Sequence, residues 1–474
     1  MMMKKQPVDM INGPLLPGVI RYALPLIATG LLQLLYNAAD MIVVARWAGG
    51  TALAAVGSNG PLVNLIINVF MGLSVGASVV VSRAFGAGND KDVHEAVHCA
   101  MAVSIASGII TMAAGLLISR QALLWMGTPG DVMEQANVYL RIYFLGMPAC
   151  MVYNFGAAIL RAVGDTRRPL YILMLSGLVN VALNLLLVIV FHWDVAGVAT
   201  ATTVSQIVSA VMVVVCLVKT ELSFRYDIRK TRFYKDKFFQ MLRHGIPAGI
   251  QGSIFSLSNI IIQSSVNSFG SAAMSGNSAA GNIEGFVYVA MNSMYQTCLT
   301  FTAQNVGARQ PRRLRRIFVL CLVLVTVIGL VLGFAVYLFG EPLLTLYTAA
   351  SGTVTSISPE EILHYGMLRL SLIATSYFLC GVMEVLVGAM RGMGSPWLPM
   401  LVSVGGVCGI RITWILTIFR FVDHSLTSLY LSYPFSWLAT AMIHAVCYYV
   451  THKKLVRRLR AEEEENAFEN SQLL

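Results

Sequence analysis

Charge is scarce in this chain of 474 residues: Asp, Glu, Lys and Arg make up 12%, against roughly 25% in an ordinary soluble domain. With 57% of residues apolar, the surface of a folded chain could not be kept in water. No GxxxxGK[ST] phosphate loop occurs, so nothing reads as a site of ATP hydrolysis. HExxH and GxSxG each occur once as a string, His94-Glu-Ala-Val-His98 and Gly72-Leu-Ser-Val-Gly76; the second lies inside an apolar run and not at a strand-to-helix turn, and a short string alone does not make a hydrolytic site. There is no Arg ladder of a voltage sensor and no TVGYG-like filter of a channel. The eight cysteines form no CxxC pair, so neither a metal cluster nor a disulfide framework is expected. The chain is not expected to be an enzyme, and no cofactor is expected.

What is abundant is the long apolar run. A membrane span needs about 20 mostly apolar residues. Such runs lie near 17–45, 53–80, 95–118, 135–160, 170–191 and 195–218, and again near 241–267, 279–303, 317–339, 362–389, 397–419 and 428–450. Backbone groups in lipid must bond within their own segment, which selects helices. Barrel strands would alternate over about ten residues, and these runs do not. The first run carries Pro25, Asn37 and Asp40 and is too long for a signal peptide, so it is expected to be retained.

The basic residues set the orientation. Lys4, Lys5, Arg21, Arg83, Lys91, Arg161, Arg167 and Arg168 fall on one side, with the basic segment from Lys219 to Arg243. The Arg309–Arg316 cluster, Arg391 and the Lys453–Arg460 cluster join them. Only Arg46, Arg120 and Arg420 fall opposite. By the positive-inside rule both termini are cytoplasmic, in a multi-pass protein of the plasma (inner) membrane. The net charge of +10 is then topological, and no nucleic-acid partner is expected.

An internal repeat organises the chain. Arg21-Tyr-Ala-Leu-Pro25 matches Arg243-His-Gly-Ile-Pro247, and Phe85-Gly-Ala-Gly-Asn89 matches Val306-Gly-Ala-Arg-Gln310. Leu160-Arg-Ala-Val-Gly164 with Pro169 matches Met390-Arg-Gly-Met-Gly394 with Pro399. The expected fold is therefore an all-α integral membrane protein of twelve transmembrane helices in two pseudo-symmetric six-helix lobes. Residues 1–218 form the first lobe, 219–240 a cytoplasmic basic linker, 241–452 the second lobe and 453–474 a charged cytoplasmic tail, expected to be disordered. Parallel repeats with a cavity between them suit alternating access. Gly72/Gly76, Gly245/Gly249 and Gly329/Gly333 have GxxxG spacing, which permits close helix approach or simply serves packing.

Charges inside a span cost about 2.5–3.5 kcal/mol each on insertion scales, so those present need a reason. Asp40 ends a polar stripe in the first span. Tyr36 and Asn37 lie one turn before it, and Gln33 one turn before Asn37. A buried carboxylate there could exchange a proton for Na+ or a cationic substrate. Ser176, Asn180 and Asn184 share one face of the fifth span, open equally to cation ligation and to interhelical bonding. Thr202 stands among hydroxyls of the sixth span that read as backbone-bonded. Glu284 and Glu384 could each line a substrate cavity or be structurally paired, Glu384 with a base such as Arg369 or Arg411.

At these residues the chain resembles the multidrug and toxic compound extrusion family over roughly residues 12–455. The carriers are Pro25 with Asp40, Ala54-Ala-Val56-Gly57, Arg161-Ala-Val-Gly-Asp165-Thr-Arg-Arg-Pro169, Asn180 with Asn184, Gln304-Asn-Val-Gly-Ala308 and Arg391-Gly-Met-Gly394. The resemblance implies two six-helix lobes set as a V, and export of small organic cations in exchange for H+ or Na+. It implies an ion site at Asp40 and Asn180, with Gln33, Tyr36, Asn37, Tyr139, Asn184 and Thr202 around it, and a kink at Pro25. Two departures stand out: an amide at 184 where many relatives carry an acid, and no acid in the seventh span. The first favours H+ over Na+. A monomer in the lipid bilayer is expected. A lipid-linked precursor flippase would want basic cavity residues, whereas the mid-span charges singled out are mainly acids. A non-transporting receptor or scaffold leaves the Asp40 stripe without a purpose.

Overall fold

The computed structural model describes residues 7–48, 50–126, 128–350 and 358–472; Lys4 and Lys5 lie outside them, as do the side chains of residues 57–66 and of Ala54. Among the described residues all regular structure is helical. Among the described residues nine helices are long and apolar enough to cross a membrane, or ten if one bent pair counts as a span. The chain is thus a multi-pass membrane protein.

The helices fall into two compact units, Met1–Ser253 and Ile254–Leu474. The first contains α1 (Leu15–Val43), α2 (Gly50–Gly86), α3 (Asp90–Trp125), α4 (Gly130–Leu145), α5 (Met147–Ala162), α6 (Arg167–Asn184), α7 (Asp194–Lys219) and the start of α8 (Lys235–Asn267). The small-residue face of α5 is central, packing on α2, α3 and α7. Phe155, Ile159 and Leu160 are fully buried there against Val97, Val213 and Leu217. α4 and α5 were expected as one straight span over 135–160. They meet instead at a 49° bend, because Pro148 opens α5 without an N–H to donate backwards.

The second unit holds α9 (Ser271–Gly307), α10 (Pro311–Leu338), α11 (Gly340–Ala350), α12 (Pro359–Leu372), α13 (Tyr377–Gly392), α14 (Trp397–Ser403), α15 (Ile410–Trp414) and α16 (Leu426–Gln472). Here α13 plays the part of α5, packing on α9, α10 and α16. The expected span 362–389 is broken by a 3₁₀ turn at Ala374–Ser376.

The repeat extends to single hydrogen bonds. After α2, Ala87 N–H donates to the Arg83 carbonyl at 2.9 Å, and after α9, Ala308 N–H donates to Gln304 at 2.8 Å. The turn then needs a left-handed residue. Gly88 takes φ +66°, and Arg309 takes φ +52° at the matching place. After α5 and α13 the turns again coincide: Gly164 at φ +96° and Gly394 at +89°. Asp165 N–H bonds the Leu160 carbonyl, and Ser395 N–H bonds Met390. The Asp165 side chain caps the start of α6 through the Arg167 and Arg168 amides, both at 3.1 Å. Burial raises its carboxyl above the usual carboxylate range, opposed by those amides and the two arginines.

The basic segment after α7 is pinned. Asp227 N–H donates to His98 Nε2 at 3.0 Å, while His98 Nδ1 faces the His94 carbonyl at 2.8 Å. This fixes a neutral ring protonated on Nδ1. Lys237 pairs with Asp92. The division between the compact units falls inside α8, and GxxxG spacing ties the start of α8 to α2. A Cβ on Gly72 would run into the Gly249 backbone, and one on Gly245 would stand 2.7 Å from Leu73 Cα. Gly329 likewise lies against Phe378. Gly72→Val is expected to force this crossing apart and cost about 1–3 kcal/mol, read as a lower unfolding midpoint of the detergent-solubilised protein. A midpoint equal to wild type would show that the crossing tolerates a side chain.

The charged tail, expected to be disordered, continues α16 to Gln472. Arg458 bonds Glu462 one turn on at 2.8 Å, and Arg309 reaches the same acid at 3.7 Å. Leu459 is buried beside them. The side chains of Glu463 and Glu465 lie outside the described residues.

Candidate functional site

In the first unit α1, α6 and α7 bring an acid, two amides and a hydroxyl into one chain of bonds. Asp40 is half-buried near the end of α1, four residues before a π-helical turn at Val44–Ala48. Asn184 Nδ2 donates to Asp40 Oδ1 at 2.5 Å and to Asn180 Oδ1 at 3.2 Å. Asn180 Nδ2 in turn donates to Thr202 Oγ1 at 3.5 Å, and Thr202 bonds the Val198 carbonyl. The four-residue step between the amides makes this possible, since it stacks them on one face of α6. Both are buried. Asn184 Oδ1 is buried with no hydrogen-bond partner, an acceptor left free beside a carboxylate.

Tyr36 locks α1 against α6. Its hydroxyl donates to the Met174 carbonyl at 3.2 Å, and its ring fills the place where a side chain on Gly177 would be. Tyr139 on α4 lies within electrostatic range of Asp40 and stacks on Tyr143 with centroids 6.0 Å apart. Gln33 and Asn37 are exposed, and the bonds of the cluster do not extend to them. Pro25 sits inside α1, whose helix is continuous from Leu15 to Val43. Pro25 cannot donate to the preceding turn, and its own carbonyl takes the Thr29 hydroxyl at 2.7 Å.

In the second unit the two glutamates have different surroundings. Glu284 is 2% exposed and grips Arg369 bidentately, with Nε to Oε1 at 3.0 Å and Nη2 to Oε2 at 2.7 Å. Arg369 Nη1 also donates to Asn277 Oδ1, which accepts the Tyr430 hydroxyl at 3.1 Å. Asn277 Nδ2 continues to Gln263 at 2.9 Å. This closed network contains residues the sequence reading missed. The available sign was Asn277 two helical turns before Glu284 on the same face of α9. Arg369 is therefore spent on Glu284 and not on Glu384. Glu384, buried on α13, has no hydrogen bond or ion pair among the described residues. Arg391, one further helical stretch along, donates to the Tyr295 hydroxyl at 2.6 Å. No group of three or more His, Cys, Asp or Glu side chains able to hold a metal occurs among the described residues.

The helical framework is that of a multi-pass membrane protein, and comparison with known proteins gives its family. The MatE family model matches residues 25–186 and 247–416, so the chain belongs to the MatE family of multidrug efflux transporters. It is 28% identical over 446 residues to the probable multidrug resistance protein YoeA of Bacillus subtilis, covering 92% of this chain and 94% of that one. It is 21% identical over 402 residues to a FAD transporter of Shewanella oneidensis, covering 83% and 86%. A solved outward-facing multidrug resistance MATE transporter superposes with a TM-score of 0.88 at 20% identity, over 96% of this chain and all of that one. Both halves of the chain fall within the family match, one on each side of the basic segment.

Proposed function

We propose that the chain is a secondary-active antiporter of the plasma membrane that exports small organic compounds, chiefly cationic ones, in exchange for H+ at Asp40. Its two lobes each carry six spans, with α8 counted in the second. Adding α9 and α16, which are long enough to span, to the ten apolar candidates gives twelve spans, with both termini cytoplasmic and the basic segment on that side. The working unit is a monomer.

One observation carries this reading. Among the described residues Asp40 is held by a neutral amide and no fixed cation, so its charge is free to be neutralised by a transported species. A carboxylate paired with Arg or Lys would have no such freedom. Asn180, Asn184 and Thr202 orient it, and Tyr36 and Tyr139 wall it. An amide at position 184 supplies no second negative charge, which favours a proton over Na+. Glu384, unpaired, faces the substrate path in this reading. Glu284, closed by Arg369, is structural. Similarity to a probable multidrug resistance protein of Bacillus subtilis supports drugs as the cargo.

Proteoliposomes with an imposed pH gradient are expected to accumulate ethidium, and a Na+ gradient of equal size to drive little uptake. Uptake that follows Na+ and ignores pH would replace the coupling ion. No gradient-driven uptake across a broad panel of cations would remove the exporter reading.

A further inference from the structure

Four π-helical turns occur among the described residues: Val44–Ala48, Leu185–Val190, Val404–Gly409 and Ile415–Phe419. Such turns are uncommon and concentrate at functional sites. The first two follow Asp40 and Asn184. The last two enclose α15, and the one charged residue of α15 is Arg411. The repeat gives that position meaning. The landmark pair Gly164 and Gly394 sets the register after the fourth and tenth spans, and in it Arg411 falls opposite Val181, next to Asn180. The second unit thus has a polar station of its own at the repeat position that matches the cluster of the first, with the opposite charge.

Arg411 is 4% exposed. Its Nε donates to Ser436 Oγ at 2.9 Å. Its guanidinium carbon lies 3.9 Å from the ring centre of Tyr433 and 5.4 Å from that of Trp437. Tyr377 packs on Trp437 with centroids 5.2 Å apart. Stacking of this kind satisfies the faces of the guanidinium and leaves its in-plane N–H groups to find acceptors. Nη2 has found none: it is buried with no hydrogen-bond partner. No carboxylate pairs with Arg411 among the described residues. The nearby Glu384 does not, although Cys380, one turn before it on α13, lies within electrostatic range of both charges. A guanidinium cannot shed its proton to escape such a place. A buried cation without a counter-charge is costly, and a purely structural arginine at this depth would be closed as Arg369 is.

We propose that Arg411 is a substrate-binding residue that receives the carboxylate of aromatic solutes carrying both an acidic and a cationic group, with Tyr433 and Trp437 stacking on the rings. The carboxylate accepts from Nη2, where planar paired acceptors suit the guanidinium fork. The cationic part of the solute then faces Glu384. This extends the exporter reading to amphoteric cargo and rests on it for the transport step, while binding itself needs no gradient.

The test is equilibrium binding to the purified full chain in detergent, followed by fluorescence anisotropy of rhodamine B, which carries a free carboxylate, and of its methyl ester, which does not. Wild type is expected to bind the free acid at least about tenfold more tightly, the scale of one charge-assisted hydrogen bond. Arg411→Gln is expected to make the two affinities equal, and Arg411→Lys to keep part of the difference, since it keeps the charge without the fork. A wild-type ratio near one, or binding of neither dye, overturns the proposal without any variant. A folded Arg411→Gln that keeps the full ratio also overturns it. Should that variant not fold, Ser436→Ala, which frees the guanidinium, is expected to lower the ratio, and an unchanged ratio counts against the assignment. Displacement of rhodamine B by added phosphatidylglycerol would put a lipid headgroup at Arg411 and overturn it too. Tight binding with no gradient-driven efflux would fault the exporter reading and leave the site standing.

Discussion

Asp40→Asn is expected to reduce gradient-driven uptake to the level of protein-free liposomes while the protein remains folded. The substitution separates the two roles of the side chain. Asn184 Nδ2 donates to Asp40 Oδ1, and an asparagine offers a carbonyl oxygen of the same size at the same place. The chain of bonds through Asn180 to Thr202 therefore keeps its anchor. What is lost is the ability to take up and release a charge, since an amide does not titrate in the relevant range. Exchange of labelled for unlabelled substrate without a gradient is expected to continue, and the unfolding midpoint to stay near wild type. Asp40→Ala would be a poorer test. It leaves Asn184 with a donor facing nothing in a buried setting, and so mixes a folding defect with the loss of coupling. Normal response to a pH gradient in folded Asp40→Asn would take Asp40 out of the mechanism.

The second large effect concerns stability. Arg369→Ala is expected to destabilise the second unit by about 3–5 kcal/mol, the usual cost of leaving one member of a buried ion pair behind. Glu284 would lose both of its hydrogen bonds to the guanidinium at 2% exposure. Asn277 would lose one donor but keep the Tyr430 hydroxyl. Removing both charges, as in Glu284→Met with Arg369→Met, is expected to recover most of the loss, because no charge remains to be solvated. The unfolding midpoints of wild type, the single variant and the double variant decide it. A single variant as stable as wild type would mean that water reaches Glu284.

The apolar runs were enough to assign helices, because a backbone in lipid has no other way to pair its own groups. Two of the three repeated landmarks mark matching turns, each with one left-handed position after a helix, while the first pair lies within helices. Asp40, Asn180, Asn184 and Thr202 could be grouped from four-residue spacing together with family resemblance. The partner of Glu284 was not legible, since Arg369 lies 85 residues away and read equally as a base for Glu384. The exposure of Gln33 and Asn37 was equally out of reach, because a helical stripe fixes angular position and not which neighbour covers it. π-turns carry no compositional mark: Leu185–Val190 is an ordinary aliphatic run. The tail misled because its run of glutamates reads as solvated, while the arginines one turn earlier and on α10's approach neutralise its start.

That tail gives α16 an unusual length. At about 1.5 Å per residue its 47 residues extend for about 70 Å, more than twice the roughly 30 Å of a bilayer's oily interior. Much of it must stand clear of the membrane as a stiff mast. A fluorophore fixed near its far end would ride with the helix and not wander on a tether, so any tilt of α16 during transport would be magnified at that tip into a displacement measurable by energy transfer to the lipid surface.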